Sequence, residues 1–277
     1  MPLRIISWNC RRASAKHTLW SYFSELSPDI AVLQEVSAIP PSIRDAYDIR
    51  SATPPTRTGL KQRFQSAILV RGRIGEQVAL RSDLEWANRE LNHFAANLFA
   101  YRVIVGDSPE MTVVGVYVPA WPVARQRLEG ENLSSVKLVQ NPDVWVADLL
   151  VSALRQRTVD ATEWVVGGDF NSCETFDSWR GGPRGNREWL DRMAALQFTE
   201  CLRQSQGKLT PTFRRPGKTE PHCQIDHLFV TRGLAERLAS CNTGDQQRVY
   251  GQTLSDHLPI VADFTDHVVR AASQSGA

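Results

Sequence analysis

Asp169 and Asn171 close the run Val165-Val166-Gly167-Gly168-Asp169-Phe170-Asn171, in which an apolar stretch stops on a carboxylate and an amide two residues apart. Such a pair offers a proton acceptor beside a neutral hydrogen-bonding group. Residues 164–166 read as a strand buried on both faces, and the two glycines allow a close backbone turn that brings the polar pair out at a sheet's carboxyl edge. Open α/β sheets place their ligand sites at that edge. Taken alone, Gly-Asp-X-Asn equally describes an Asx turn, so the reading depends on partners elsewhere in the chain.

Partners occur at other strand ends with the same grammar. Leu3-Arg4-Ile5-Ile6-Ser7-Trp8 runs into Asn9, and Asp29-Ile30-Ala31-Val32-Leu33-Gln34 runs into Glu35. The apolar segment 111–117 ends at Tyr117-Val118-Pro119. Asp226 sits inside the run Gln224-Ile225-Asp226-His227-Leu228-Phe229-Val230, and Ser255-Asp256-His257 directly precedes Leu258-Pro259-Ile260-Val261. Singly, each has a plain alternative: Asn9 and Glu35 as turn caps, Tyr117 as a strand aromatic, Asp226 as an edge residue, Asp256-His257 as a turn. Together they place acids, amides and one histidine at the ends of several strands.

In this order and over residues 3–264, the set Trp8-Asn9, Leu33-Gln34-Glu35, Tyr117-Val118-Pro119, Gly168-Asp169-Phe170-Asn171, Ile225-Asp226 and Ser255-Asp256-His257 resembles the endonuclease/exonuclease/phosphatase superfamily. The resemblance implies an α/β fold, a DNase I-like four-layer α/β/β/α sandwich of two packed mixed β-sheets flanked by helices. It also implies cleavage of a phosphoester with a divalent metal, magnesium ahead of manganese. That reaction needs a cation on the phosphoryl oxygens, a water in line with the leaving oxygen and help for the departing charge. By the resemblance, Glu35, Asn9 and Asp256 hold the metal, and Asp169 orients or deprotonates the water. Asn171 and Tyr117 donate to the phosphoryl group, as does His257, paired with Asp226.

Subtype signals diverge. Tyr117 is closer to the exonuclease III type than to DNase I relatives, and Trp189-Leu190 with Leu196-Gln197-Phe198 resembles that branch's helix. Apurinic/apyrimidinic endonucleases usually carry Gln-Glu-Thr-Lys, whereas this chain reads Gln34-Glu35-Val36-Ser37. It also has Thr212-Phe213 where a paired aromatic motif is common. Abasic-site specificity is therefore not the expectation.

Composition agrees with one large enzyme domain, expected over residues 1–266 with a flexible tail at 267–277. The chain has 277 residues, 5 cysteines and a formal net charge of +2. No stretch approaches the roughly 18 apolar residues of a membrane span, and no export signal opens the chain. Five cysteines without paired or metal-ligand spacing read as reduced thiols in a cytoplasmic protein. The small net charge hides clustering: residues 49–75 carry six cations (Arg50, Arg57, Lys61, Arg63, Arg71, Arg73) and no acid. Acid-free windows also contain Arg180 and Arg184, and Arg214 and Arg215, while Arg11 and Arg12 follow Asn9. Cations at a site rim attract polyanions; the plain alternative is a solvated surface, and Arg71 and Arg73 are expected to point elsewhere.

Helices are expected over 17–26, where Leu19, Trp20, Phe23 and Leu26 share a face, over 142–155 with Pro142 in the first turn, and over 187–196. Further strands are expected at 65–70, 78–80 and 97–105, and segment 121–141 reads as a substrate-side loop with a short helix. The favoured function is a metal-dependent nuclease, acting on DNA ahead of RNA, with no membrane insertion and no obligate protein partner. An inositol-phosphate or phospholipid phosphoesterase using the same residues is the alternative, followed by a catalytically silent binding module.

Overall fold

The computed structural model describes residues 2–157, 162–179 and 185–266. The expected tail, Arg180 and Arg184 lie outside the described residues. In chain order the strands are β1 (Leu3–Ala13), β2 (Ile30–Val36), β3 (Asp48–Ala52), β4 (Gln65–Val70), β5 (Arg73–Val78), β6 (Leu98–Ile104), β7 (Met111–Tyr117), β8 (Glu163–Asp169), β9 (Phe198–Glu200), β10 (Asp226–Thr231), β11 (Leu238–Thr243) and β12 (Ile260–Phe264). The helices are α1 (Leu19–Leu26), α2 (Pro41–Arg44), α3 (Glu85–His93), α4 (Val146–Leu154), α5 (Asn186–Ala195), α6 (Cys201–Gln206), α7 (Arg232–Ala235) and α8 (Gln246–Gly251).

Two six-stranded mixed sheets result, ordered β11-β12-β1-β2-β4-β3 and β5-β6-β7-β8-β10-β9. In each, a parallel pair forms the centre: β1 with β2 and β7 with β8, every other pairing being antiparallel. Central strands are buried on both faces, which explains the near-continuous apolar runs of β1, β7 and β8. Alternate residues then serve different layers. Ile5, Val32, Ile68, Val113, Val165 and Leu228 meet between the sheets. Ile6, Trp8, Ala31 and Leu33 face α1 and α8, and Val114, Val116, Val166 and Phe229 face α3, α4 and α5. The four-layer sandwich expected from the sequence is the one observed.

Gly167 marks how closely the sheets approach: a Cβ there would lie 3.6 Å from Ser7 and Val32 of the facing sheet, and 3.1 Å from the side chain of its strand neighbour Leu228. Helix α1 shows the same economy at the outer layer. Leu19, Trp20, Tyr22 and Phe23 are buried, and the helix ends where Ser27 turns left-handed (φ 47°) and its N–H reaches the Phe23 carbonyl. Truncating the fully buried Phe23 to alanine would cost ~3–5 kcal/mol by cavity formation.

Two expected boundaries move. The strand expected at 78–80 is β5, ending at Val78, because the edge strand is mostly exposed and polar (Arg73, Gly75, Glu76, Gln77) and carries little apolar signal. Helix α4 starts at Val146 rather than near Pro142, because the Asp148 carboxylate accepts the Trp145 N–H at 2.8 Å and sets the first turn there. Segment 121–141 does contain a short helical turn, Arg125–Leu128.

Candidate active site

Register brings the acids together before any side chain is considered. Tyr117 of β7 pairs with Asp169 of β8, which pairs with Asp226 of β10, so three strand ends present polar side chains side by side. Gly168 permits this geometry: at φ +156° a Cβ would sit 1.9 Å from the Val116 carbonyl oxygen. On the facing sheet, β1 and β2 lose register between Asn9 and Ala13. Arg11, Arg12 and Glu35 adopt left-handed backbone there (φ 45°, 59° and 51°), as does Asn171 (φ 48°). Non-glycine residues in that region cost ~1–3 kcal/mol each and concentrate at functional sites.

The two sheets meet through a side-chain bond. The Asn9 amide donates to Asp169 Oδ2 at 2.9 Å, and its Oδ1 accepts the Arg11 N–H at 3.0 Å. The second Asp169 oxygen accepts the Asn171 N–H at 2.9 Å, while the Asn171 side-chain amide donates to the Val118 carbonyl at 2.8 Å. Both Asn9 and Asp169 are buried.

Beside them, His257 Nδ1 lies 2.9 and 3.1 Å from the two Asp226 oxygens. Thr212 donates its hydroxyl to Asp226 Oδ2 at 2.7 Å, so the fully buried carboxylate has partners on both sides. The His257 ring packs against Phe213, with centroids 4.8 Å apart. Its backbone is fixed as well: Trp8 Nε1 donates to the His257 carbonyl at 2.9 Å, and Ser255 bridges the Asn9 carbonyl (2.7 Å) and the His257 N–H (3.1 Å). Such support holds the imidazole in one orientation.

Glu35 and Asp256 form the third part of the site. The Tyr117 hydroxyl donates to Glu35 Oε1 at 3.2 Å. Consecutive arginines approach the two acids only loosely, Arg12 to Glu35 at 3.9 Å and Arg11 to Asp256 at 3.5 Å, and His257 Nε2 is 4.0 Å from Asp256. Neither carboxylate is consumed by a close ion pair. Glu35, Asp256 and Asn9 Oδ1 are oxygen donors of the kind a hard divalent cation takes. Asp169, Asp226 and His257 also offer ligand atoms that all lie within 4.8 Å of one another, so this carboxylate and histidine cluster is capable of coordinating a divalent metal.

Electrostatics divide the roles. Burial pushes the Asp169 carboxyl up to about 7, reinforced by the Asp226 charge and opposed by His257 and the Asn9 hydrogen bond. Burial alone would press His257 toward neutrality, but the Asp226 charge and hydrogen bond, with Asp169 and Asp256 behind them, raise it to about 10. Without a bound cation these carboxylates favour the imidazolium. Burial raises Tyr117 far above its ordinary value, with the Glu35 and Asp169 charges adding to the effect, so the phenol stays a donor.

Residues 6–257 match the sequence profile of the Endonuclease/Exonuclease/phosphatase family. The chain belongs to that family. No curated protein matches its sequence significantly. Among solved structures, the chain is similar to an AP endonuclease from Archaeoglobus fulgidus (20% identity, TM-score 0.67, covering 95% of this chain and 99% of that one). It is also similar to a 3'-5' exonuclease from Neisseria meningitidis (19%, 0.66, 95% and 99%) and to the APE2 catalytic domain from Xenopus laevis (16%, 0.65, 98% and 94%). At such identities the likeness establishes the fold; the family membership and the site's acids establish an enzyme built for phosphoester hydrolysis.

As a member of this family, the protein keeps Asn9, Glu35, Tyr117, Asp169, Asn171, Asp226, Asp256 and His257 in one contiguous constellation. The arginines are less uniform. Arg11 and Arg12 border the acids, and the guanidinium of Arg12 also lies 5.8 Å from the Phe64 ring centroid. Arg214 stacks on Tyr250 at 4.1 Å and Arg215 on Trp179 at 4.5 Å, which fixes their planes at the rim near Phe213. Arg71 packs on Tyr47 and bonds its hydroxyl, away from the acids as expected. The sequence reading missed Thr212 as the partner of Asp226 and gave Trp8 no part in holding His257. Thr212 lies 14 residues before its partner in a loop, and no periodicity marks such a contact. His227, next to Asp226 in the same run, is buried with Nε2 3.0 Å from the Ser172 carbonyl. Among the described residues, no helix is long and apolar enough to cross a membrane.

Proposed function

We propose that the protein is a magnesium-dependent nuclease that hydrolyses phosphodiester bonds of DNA, with manganese an alternative ion and RNA a secondary substrate. The observation that carries this reading is the bonded array in which Asn9 ties Asp169 to the facing sheet, beside the Asp226–His257 pair and the Glu35–Tyr117 pair. Glu35, Asp256 and Asn9 would hold the ion, which when bound neutralises phosphoryl oxygens and favours a reactive water.

The chain's own groups supply the rest. Asp169, buried and poised near neutral pH, orients the attacking water and takes its proton, a role that works best when the base titrates near the operating pH. His257, kept charged by Asp226, donates to a phosphoryl oxygen and stabilises the charge that builds there. Tyr117 adds a neutral donor. Asn171 keeps one amide hydrogen on Val118 and has a second for the substrate.

Two observations support a polynucleotide over a small headgroup. Arginines border the acids on several loops, so several phosphates are engaged at once, and similar folds carry names that describe an AP endonuclease and a 3'-5' exonuclease. The five cysteines, all free, suit the reducing cytoplasm. A substrate panel tests the reading: plasmid, linear duplex, single strand, abasic duplex, RNA and inositol phosphates, each with magnesium, manganese or chelator. Metal-dependent cleavage of DNA is expected, with Asp169→Ala slower by about 10²–10⁴-fold and still folded. Faster turnover of inositol phosphates than of any polynucleotide would replace the proposal with a phosphatase, and tight binding without turnover in any metal would leave a binding module.

A further inference from the structure

The surface opens into a cavity of about 690 Å³ whose lining does not belong to the catalytic array. Its lining includes Trp121, Phe94 and His93, the loop that carries Arg57, and Arg125 with Asp143. Its position is set by the site. Trp121 lies just beyond Val118, whose carbonyl receives the Asn171 amide, and the Arg57 loop leads into Phe64, which packs edge-on against Tyr117 at 5.4 Å. That loop is closed at its base by the Pro55–Lys61 bridge and by the Thr56 N–H on the Leu60 carbonyl.

The lining has two features that a passive groove would not need. Trp121 is half-buried, belongs to none of the hydrophobic clusters of the core, and has no ring partner or indole hydrogen bond among the described residues. A large aromatic in a cavity lining with no ring partner among the described residues offers a π-face to a planar ligand. Arg57, which shares the lining with Trp121, is exposed and forms no ion pair among the described residues, as is true of Lys61 and Arg63 further along its loop. The other cations of the lining are paired: Arg125 bonds Asp143 at 2.7 Å, and Arg127 bonds the buried Glu90 at 2.8 Å. An unpaired cation and an indole without a ring partner in one cavity match a phosphate and its base, since single-stranded sites combine a basic track with aromatic platforms.

We infer that this cavity is a nucleotide subsite: it takes an unpaired nucleotide of the substrate strand, its base stacked on Trp121 and its phosphate on Arg57, a short distance along the chain from the scissile bond. The inference deepens the nuclease reading and rests on it for the orientation of the strand. A base within a duplex has both faces stacked and cannot use the indole, so the subsite selects single-stranded or frayed ends. The cavity lies within the usual ~300–1,000 Å³ range of ligand sites.

The test compares the parent protein with Trp121→Ala, Trp121→Phe and Arg57→Ala on three substrates: a small diester, bis(4-nitrophenyl) phosphate, a duplex with blunt ends, and the same duplex carrying single-stranded extensions. Trp121→Ala is expected to raise KM for the extended duplex by about tenfold, in line with the loss of one base–aromatic stack, with kcat held and the small diester unaffected. Trp121→Phe should recover most of the loss, and Arg57→Ala should flatten the salt dependence on the extended substrate alone. Equal KM for extended and blunt substrates in all variants would overturn the inference while leaving the nuclease reading intact. If the parent cleaves no polynucleotide, the nuclease reading falls and binding decides the rest: fluorescence anisotropy with a single-stranded oligonucleotide should show about tenfold weaker binding for Trp121→Ala, and equal or absent binding refutes the subsite.

Discussion

Replacing Asp226 by asparagine keeps the shape of the array and removes the charge that sets the protonation of His257. The structure gives the size of the effect. His257 is raised from 6.5 to about 10 although its burial works in the opposite direction, so the carboxylates around it more than offset desolvation. Without the Asp226 charge the ring should return to its ordinary value or fall below it. At pH 8 a histidine with a pKa of ~6.5 is charged in only about one molecule in thirty. Activity at pH 8 should therefore drop by at least about 30-fold, and the deficit should shrink as pH falls toward 6. Thr212 still finds an acceptor on the asparagine, so the fold should persist. The sign of the linkage is also set: a raised histidine pKa stabilises the parent fully below 6.5, and that contribution fades as pH rises through about 10. The assay is a pH–rate profile of parent and variant on one oligonucleotide, with thermal unfolding measured alongside. An equal deficit at pH 6 and pH 8, or none at either, would refute the imidazolium role.

Two further outcomes follow from separate parts of the molecule. Glu35→Gln should raise the magnesium concentration needed for half-maximal rate by at least about tenfold, the lower end of what removing even a supporting group behind a ligand costs; an unchanged metal titration would remove Glu35 from the ion's coordination. Asp148→Asn should stabilise the protein above neutral pH: burial raises this carboxyl from 3.8 to about 7, Oδ2 takes the Trp145 N–H and Oδ1 has no partner. The native state holds that proton more tightly than the unfolded chain, so parent stability is full below pH 3.8 and declines as pH rises to about 7. The variant should gain up to ~4 kcal/mol at pH 8 and nothing near pH 4, at 1.36 kcal/mol per unit; urea midpoints that shift equally at both pH values would show that the carboxyl is not the cause.

How far the sequence reaches is clearest from residues that sit at strand ends. Apolar runs that stop on Asn9, Glu35, Tyr117 and Asp169 marked both the central strands and the polar edge, because a strand buried on both faces tolerates such groups mainly near the sheet's edge. Those residues were legible for that reason; the sandwich and the Asp226–His257 pairing came from the family that the ordered motifs resemble. Edge elements were not: β5 is polar and exposed, and the short β9 and α6 between Asp169 and Asp226 have too few residues for a periodic signal.

By itself, the sequence determined which residue types end the central strands, and hence a phosphoester-cleaving constellation carried by an α/β sandwich. Only the tertiary structure decided who touches whom. Asn9 and Asp169 are 160 residues apart and belong to different sheets, and their bond exists because Gly167 and Ser7 let those sheets close on each other. Thr212 reaches Asp226, Trp8 holds His257 in place and Trp121 is left without a core through contacts between distant segments. Local pattern reports the burial of a residue along its own strand or helix; a partner across the fold is set by register, sheet spacing and loop path, which no single window of sequence contains.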